Sequence, residues 1–175
     1  RIDGGSPQLR GVVPDIVLPG VYAFLGPGEK KQTKPMEWTS IDPVAYQQDV
    51  FNIKNMDQLV NASKKRVSSN STFKLIDENA QRIKRIRDRD TYSLNLETYQ
   101  ADENKLEEEA KKFKDMFKSD INAGVSNLPG DTDAFANDES KQARNAAFIK
   151  DVTRDVYIQE TLNVVHDLIK GNKSK

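Results

Sequence analysis

The sequence predicts an α+β fold that is mainly α-helical, with a short N-terminal β segment followed by a helical domain that carries one short strand. Three observations support this prediction. Near the start of the chain, β-branched residues lie between two prolines, which is typical of a short strand. Residues 56–68, 72–87, 101–118 and 156–170 repeat apolar positions every three or four residues, as amphipathic helices do. Between these helices, residues 92–97 alternate apolar and polar side chains, as a half-buried strand does.

The N-terminal β segment is predicted from a run bounded by Pro14 and Pro19. Proline has no backbone N–H, so in sheets it is confined to the ends and edges of strands. We therefore interpret Ile16–Leu18 as an edge strand that ends at Pro19. The pair Gly4-Gly5 suits a tight turn, because glycine adopts positive φ at little steric cost. The two residues at the start of the chain, Arg1-Ile2, are expected to end a strand whose sheet lies outside this sequence.

Residues 20–37 are predicted to be a linker, because glycine and proline punctuate a polar run. Within it, Val21–Leu25 is apolar and is expected to form one helical turn docked on the core. Trp38 follows, and the large area of its ring favours a core anchor over the wall of a binding site. A helical turn over residues 43–48 and a brief strand over residues 50–53 are expected next.

Two helices joined at Asn70 are predicted to form a helical hairpin. The first spans Met56–Ser68, with Asn55 and Gln58 as a capping box. Its apolar face consists of Met56, Leu59, Val60 and Val67, and its solvent side of Lys64, Lys65 and Arg66. The second spans Thr72–Arg87 and is capped by Asn70 or Ser71. Its inward stripe consists of Phe73, Ile76, Ala80 and Ile83.

A strand over residues 92–97 is predicted to precede a long charged helix over Ala101–Lys118. The inward side chains of the strand are Tyr92, Leu94 and Leu96. The apolar stripe of the helix consists of Leu106, Ala110, Phe113 and Phe117. On the outside of the helix, Glu107–Lys111 and Glu108–Lys112 have the spacing of ion pairs that stabilise a helix by about 0.2–0.5 kcal/mol each.

The C-terminal third is predicted to contain a loop and two helices. Residues 119–138 are assigned to the loop, because glycine, proline and asparagine break any period. Residues 139–149 are alanine-rich and favour a helix. The last helix spans Val156–Lys170, is capped by Asp155 and stops at Gly171, after which the chain should fray. The inward stripe of this helix consists of Ile158, Leu162, Val165 and Ile169.

Composition narrows the functional classes. The chain has 27 basic and 27 acidic residues, so no net charge favours nucleic acid or an anionic membrane. It has no cysteine, hence no thiol chemistry, and no apolar run of the roughly 20 residues that a membrane helix needs. No signal peptide is visible. The basic residues from Arg82 to Arg89 are expected to pair with the acidic residues from Asp102 to Glu109 on a neighbouring helix rather than with phosphates.

A catalytic serine–lysine pair is not predicted in this chain. Such a pair needs an exposed serine beside a buried lysine of lowered pKa, together with an oxyanion hole. Ser6 lies in a predicted turn, and the other candidates lie at helix ends, where serine acts as a cap: Ser68, Ser69 and Ser71. We therefore predict no catalytic residue in this chain.

We likewise predict that the chain has no metal site and no cofactor site. Asp131-Thr132-Asp133 begins like a calcium loop, but the later positions lack the required ligands. The residues found there are Phe135, Ala136 and Gln142. His166 is the only histidine, and a zinc site needs several ligands, so we expect a partly exposed surface residue.

Four runs of residues resemble the tail-specific (carboxy-terminal processing) serine proteases. The run from Gly4 to Pro19, above all Gly11-Val12-Val13-Pro14-Asp15-Ile16, resembles the last strands of their catalytic core. Residues 37–42 resemble the Pro-Trp-Asp-x-Ile segment that opens their C-terminal domain, with Glu37 in place of the proline. Residues 93–95 and 155–163 resemble later parts of that domain. In all, the resemblance covers residues 1–19, 38–118 and 155–170.

The resemblance implies three parts: residues 1–19 are the last strands of an incomplete protease core, residues 20–37 a linker, and residues 38–175 a C-terminal helical domain. It implies that the whole enzyme uses a serine/lysine dyad located upstream and cleaves proteins near their C-termini in the bacterial periplasm or cell envelope. This fragment would then be a non-catalytic accessory domain, without a cofactor and inactive alone. Implied partners are protein substrates, the enzyme's own protease core and PDZ domain, and an adaptor protein.

The alternative is a stand-alone helical protein-interaction module with no protease activity. The upstream gene sequence distinguishes the two, because only the first hypothesis requires a serine/lysine core there. No nucleic-acid partner is expected in either case. If the fragment stands alone, its N-terminal strand is an unpaired edge, and we expect self-association through it.

Overall fold

The computed structural model describes residues 3–26, 28–45, 53, 55–118 and 124–173. Its helices are α1 Met56–Ser69, α2 Ser71–Arg87, α3 Leu96–Lys111, α4 Pro129–Phe135, α5 Glu139–Val152 and α6 Val156–Lys173, preceded by a single 3₁₀ turn at Glu29–Lys31. Within these residues, the β pairing is one antiparallel bridge between Gly5 and Ser40. The prediction of a mainly helical chain is confirmed, and the strands predicted at Ile16–Leu18 and at residues 92–97 are wrong. The expected strand end at residues 1–2 and most of the elements expected at 43–48 and 50–53 lie outside the described residues.

The predicted helical hairpin of α1 and α2 is confirmed. Asn70 ends the first helix, since its backbone N–H donates to the carbonyl oxygen of Arg66 at 3.0 Å. It also begins the second helix, because its side-chain oxygen accepts hydrogen bonds from the backbone N–H groups of Thr72 at 2.8 Å and Phe73 at 3.2 Å. The predicted capping box of α1 is wrong, because the side chain of Asn55 makes no capping hydrogen bond.

The core lies where α6 packs along α1 and against α2. Its buried centre is formed by Phe73, Ile76 and Val156. Partly buried apolar side chains surround this centre: Leu18, Val21, Val67, Met116 and Tyr157. The inward stripe predicted for α2 is therefore confirmed at its first two positions, and Ala80 is also buried.

Ser63 on α1 is a buried polar residue that the sequence analysis missed. It is 1% exposed, and its hydroxyl has no hydrogen-bond partner among the described residues. A buried hydroxyl without a partner destabilises the folded state. The spacing could have revealed it, because Ser63 lies one helical turn from both Leu59 and Val67 on the apolar face.

We expect Ser63→Ala to raise the free energy of unfolding by about 1 kcal/mol, because the unpaired hydroxyl is removed and little volume is lost. Urea unfolding followed by circular dichroism measures the change. Ser68→Ala is the matched control, since the Ser68 hydroxyl is exposed and donates to the carbonyl oxygen of Lys65 at 2.9 Å. A loss of stability in Ser63→Ala would contradict the expectation.

The apolar stripe predicted for α6 is wrong. Leu162, Val165 and Ile169 are 54%, 44% and 49% exposed, whereas Val156 and Glu160 are 4% and 3% exposed. The helix is turned so that a carboxylate, rather than the longest apolar stripe, faces α1. This carboxylate forms the ion pair described below. The predicted stop at Gly171 is also wrong, because α6 continues to Lys173.

The two predicted strands are replaced by other structure. Ile16–Leu18 forms no strand, and Leu18 packs against the helical core instead. Residues 92–97 lead directly into α3, because the side chain of Asn95 accepts a hydrogen bond from the backbone N–H of Thr98 at 3.0 Å. Leu94 is fully exposed at 103%. Among the described residues no strand lies beside either segment, and a strand without a pairing partner leaves its backbone hydrogen-bonding groups unpaired.

Helix boundaries in the middle of the chain also differ from the predictions. The charged helix α3 begins five residues before Ala101 and ends at Lys111, after which turns follow. The predicted loop over 119–138 is wrong at α4, where Pro129 occupies the first helical position. The helix predicted over 139–149 is confirmed as α5, with Asp138 as its cap.

Candidate functional site

An ionic clasp joins α1 to α6. The guanidinium of Arg66 donates to both carboxylate oxygens of Glu160, the shortest contact being 2.8 Å, and to Oδ2 of Asp167 at 2.7 Å. The side chain of Glu160 is only 4% exposed, against 32% for Arg66. These hydrogen bonds, with Glu160 first, raise the pKa of Arg66 above its ordinary value. The prediction that Arg66 lies on the solvent side is therefore wrong, because it neutralises a buried carboxylate.

A docked segment, residues 18–25, crosses the helical core ahead of α1. Leu18 and Val21 pack against the buried cluster of α2 and α6. The hydroxyl of Tyr157 donates to the carbonyl oxygen of Pro19 at 2.8 Å, and the Tyr157 ring meets Phe73 edge-on with centroids 5.5 Å apart. One side chain of α6 therefore ties the docked segment to α2.

The far end of the docked segment is held by α2. A guanidinium nitrogen of Arg87 donates to the carbonyl oxygens of Phe24 at 2.8 Å and Leu25 at 3.1 Å, and the Lys84 ammonium lies 6.0 Å from the Phe24 ring centroid. The predicted docking of Val21–Leu25 on the core is confirmed. The segment is a succession of turns rather than one helical turn.

Replacing Tyr157 by phenylalanine tests this attachment. We expect a loss of about 1 kcal/mol in the free energy of unfolding, because one part-buried hydrogen bond is removed. Amide hydrogen exchange should accelerate in residues 18–25 more than in α1. Tyr22→Phe is the control, since Tyr22 is 64% exposed. Equal exchange in the docked segment of both variants would contradict the assignment.

We also expect the free energy of unfolding of the domain to fall at alkaline pH. Burial, and secondly the charge of Asp155, raise the pKa of Tyr157 above its ordinary value near 10. Since the folded pKa is the higher one, this tyrosine contributes its full stability below pH 10, and the contribution is lost as pH rises through the folded pKa. Urea unfolding from pH 8 to 11 should show a smaller decline in Tyr157→Phe than in the wild type. Identical declines would exclude Tyr157 as the source.

A second contact closes the N-terminal segment on itself. The indole N–H of Trp38 donates to the carbonyl oxygen of Ser6 at 2.9 Å, and the Arg10 guanidinium lies 3.6 Å from the Trp38 ring centroid. Gly4 has φ +76°, and a Cβ there would lie 2.0 Å from the carbonyl oxygen of Ile41. The positive φ that the sequence predicted for a turn at Gly4-Gly5 is therefore confirmed at Gly4. Trp38 anchors residues 4–6 to residues 39–41.

The serines considered for catalysis lie in ordinary structural positions. The Ser6 hydroxyl accepts from the backbone N–H of Gln8 at 3.0 Å. Near the end of α1, the hydroxyls of Ser68 and Ser69 each donate to a carbonyl of the same helix at 2.9 Å. Ser71 is the first residue of α2. These contacts are those of turns and helix ends, as the sequence predicted.

The residues considered for metal binding do not come together in the described part of the chain. Asp131 and Thr132 lie in the short helix α4 rather than in a loop, and His166 is exposed on α6. No group of three or more histidine, cysteine, aspartate or glutamate side chains suited to a metal ion occurs among the residues whose side chains the structure describes. That the whole chain lacks such sites stays a prediction.

The predicted pairing between basic and acidic residues of neighbouring helices is confirmed. Arg85 on α2 pairs with Glu109 on α3 at 3.4 Å. Arg89, beyond the end of α2, pairs with Asp102 at 3.1 Å and Glu103 at 3.4 Å. On α3 itself the pairing differs from the prediction, because Lys111 pairs with Glu108, and Lys112 pairs with Glu78 of α2.

In structural class this protein is a charged helical domain. Hydrogen bonds and apolar contacts hold the preceding segment, residues 18–25, on its helices. Within that class, the chain belongs to the family described as the C-terminal domain of tail specific protease, whose model matches residues 24–170. This finding confirms the resemblance noted in the sequence. Among the residues searched, no helix has the length and apolar character to cross a membrane.

Curated relatives support the same family. Three curated proteins match the sequence. One is the Tail-specific protease of Haemophilus influenzae, which is 31% identical over 120 residues, covering 66% of this chain and 17% of the relative. The chain therefore spans less than a fifth of that relative's length. No solved structure matches.

Proposed function

We propose that this chain is the non-catalytic C-terminal accessory part of a tail-specific serine endopeptidase that degrades or processes proteins from their C-termini. In this proposal residues 1–19 are the end of the protease core and residues 38–175 form the helical domain. Residues 20–37 link the two. The observation that carries the proposal is the docked segment, because it fixes the helical domain to whatever precedes it. Membership of the family and the match to a longer protease support it.

The proposed role is to scaffold the protease core and shape access to it. A flexible tether would let the two parts move independently, whereas Tyr157 and Arg87 hold residues 18–25 on the helices. The orientation of the core relative to the helices is then determined by packing rather than by linker length. The serine and lysine of the proposed dyad lie upstream, and the 175-residue chain alone is inactive. Its setting is the periplasm or cell envelope.

Contact with an adaptor protein, and with the enzyme's own PDZ domain, completes the proposal. The exposed stripe of Leu162, Val165 and Ile169 on α6 provides apolar surface for such a contact. A stand-alone interaction module without a protease would use the same surface. The gene sequence upstream of residue 1 therefore distinguishes the two hypotheses. The proposal requires a serine/lysine core encoded upstream of residue 1, and a gene without one would reject it.

The accessory role is tested in the full-length enzyme by cleavage of an unfolded protein substrate. We expect deletion of residues 38–175 to reduce turnover strongly and to lower the thermal midpoint of the remaining core. Tyr157→Phe should give a smaller loss, with Tyr22→Phe unchanged. Full turnover and an unchanged midpoint after the deletion would refute the scaffolding role. Peptide cleavage by the 175-residue chain alone would refute its assignment as non-catalytic.

A further inference from the structure

A groove runs between α2 and α3, because their long side chains join them without close packing of the two helices. No residue of α3 is buried. Two cavities of about 280 Å³ and about 300 Å³ lie along the groove and share Arg82, Arg85 and Glu109 as lining residues. Apolar side chains also contribute to the walls: Ile86, Leu106 and Phe113. We call this feature the α2–α3 groove.

The charges in the α2–α3 groove are not balanced. Its cations are Arg82, Arg85, Arg89, Lys105 and Lys112, and its acids are Glu78, Asp102 and Glu109. Each acid is paired with one cation: Glu109 with Arg85, Asp102 with Arg89, and Glu78 with Lys112. Two cations remain without a carboxylate among the described residues. They are Arg82 on the α2 wall and Lys105 on the α3 wall.

Arg82 is held in place although it lacks an acidic partner. Its Nε donates to the side-chain oxygen of Asn79 at 3.1 Å, and its guanidinium carbon lies 5.6 Å from the Phe113 ring centroid. Asn79 is 6% exposed, so this support comes from the packed side of α2. A guanidinium fixed in this way is preorganised to receive a carboxylate, and little side-chain freedom is lost on binding.

We propose that the α2–α3 groove binds an acidic peptide segment in extended conformation. Two neighbouring acidic side chains of a strand point to opposite sides, so one carboxylate reaches Arg82 and the next reaches Lys105. Apolar neighbours of the acids cover Ile86 and Leu106. From Asp102 to the end of α3 the groove is about 14 Å long at 1.5 Å per residue, which accommodates about four extended residues.

A nucleic acid is a poorer match to the same groove. Its phosphates would bring one negative charge per nucleotide past Glu78, Asp102 and Glu109, which line the groove beside the cations. No aromatic side chain other than Phe113 lines the two cavities for base stacking. A peptide places charge only where the two unpaired cations lie. The inference rests on the groove alone and does not depend on the proposed protease.

An NMR titration of the ¹⁵N-labelled chain tests the inference. The probe is the peptide acetyl-Leu-Asp-Glu-Leu-amide, whose blocked ends leave only the side-chain carboxylates. The comparison peptide carries asparagine and glutamine in place of the two acids, and oligothymidylate is the nucleic-acid comparison. We expect shifts in α2 and α3 with the acidic peptide, at least about tenfold weaker binding of the neutral peptide, and weaker binding at high salt.

Variants locate the binding residues. Lys105→Gln should weaken binding of the acidic peptide about fivefold or more, and Arg82→Gln by a similar factor. Lys111→Gln is the matched control, since Lys111 carries the same charge on α3 but pairs with Glu108 outside the groove. Because Arg82 also contacts Phe113, its variant is first checked for folding by circular dichroism, and Lys105→Gln tests the inference independently. Absence of binding, equal binding of both peptides, equal effects of the Lys105 and Lys111 variants, or tighter binding of oligothymidylate would each overturn the inference.

Discussion

Replacing Arg66 by methionine is expected to lower the free energy of unfolding by about 3 kcal/mol. The substitution leaves Glu160 without its cation, although the side chain of Glu160 is 4% exposed. A buried carboxylate that loses its partner must be desolvated without compensation, and this cost exceeds the value of the pair itself. We take the lower end of the range for such pairs, since the Arg66 side chain is 32% exposed and keeps part of its hydration. Urea unfolding at neutral pH measures the loss.

A double variant separates the two contributions. Arg66→Met combined with Glu160→Leu removes both charges, and we expect it to recover stability to within about 1 kcal/mol of the wild type. Lys65→Met is the matched control, since Lys65 is exposed on the same helix. If Arg66→Met is as stable as Lys65→Met, the clasp does not hold α6 on α1.

Replacing Phe73 by alanine is expected to cost about 4 kcal/mol. The side chain of Phe73 lies in the centre of the core at 2% exposure and contacts the Tyr157 ring edge-on. Its removal leaves a cavity and also withdraws the surface on which Tyr157 rests. We therefore expect a second effect, faster hydrogen exchange in residues 18–25, under conditions where the rest of the domain is still folded.

Phe148→Ala on α5 is the control for this prediction. The removed group is the same, but Phe148 is 62% exposed, so the change should be less than about 0.5 kcal/mol. Thermal and urea unfolding of both variants give the comparison. Similar midpoints for the two variants would mean that the cluster around Phe73 is not the core of the domain.

Local signals in the sequence predicted much of the helical structure. Asn70 and Asp155, which were predicted as caps, each accept hydrogen bonds from the first turn of the helix that follows, and both helices begin where the sequence indicates or within one residue. Asp138 caps α5 in the same way, although it was not predicted as a cap. A helix cap depends on a few adjacent residues, so the sequence contains the whole interaction. The pairing of Arg85 and Arg89 with acids of α3 was also predictable from the sequence. Basic residues cluster near the end of α2 and acidic residues cluster on α3.

Tertiary contacts account for the failures. Periodicity alone placed Leu162, Val165 and Ile169 in the core, but the carboxylate of Glu160 pairs with Arg66, which lies 94 positions earlier in the chain. The alternation at residues 92–97 satisfied the pattern of a strand, yet in the part of the chain that the structure describes no second strand lies beside it, and Asn95 starts a helix there. The α2–α3 groove was also missed, because a sequence shows which charges balance in total and not which cations are left without a partner.

The contacts that close this domain join residues far apart in the chain, and this determines when it can fold during synthesis. The Pro19–Tyr157 hydrogen bond spans 138 positions, and the Arg66–Asp167 bond spans 101. Contacts between such distant residues form slowly, because a long loop must be closed before they give any stability. While the ribosome is still making α6, the hairpin of α1 and α2 has its apolar face uncovered. Of the helices described here, α6 is translated after the other five and completes the core, so a chain that stops before Val156 should remain a substrate for chaperones.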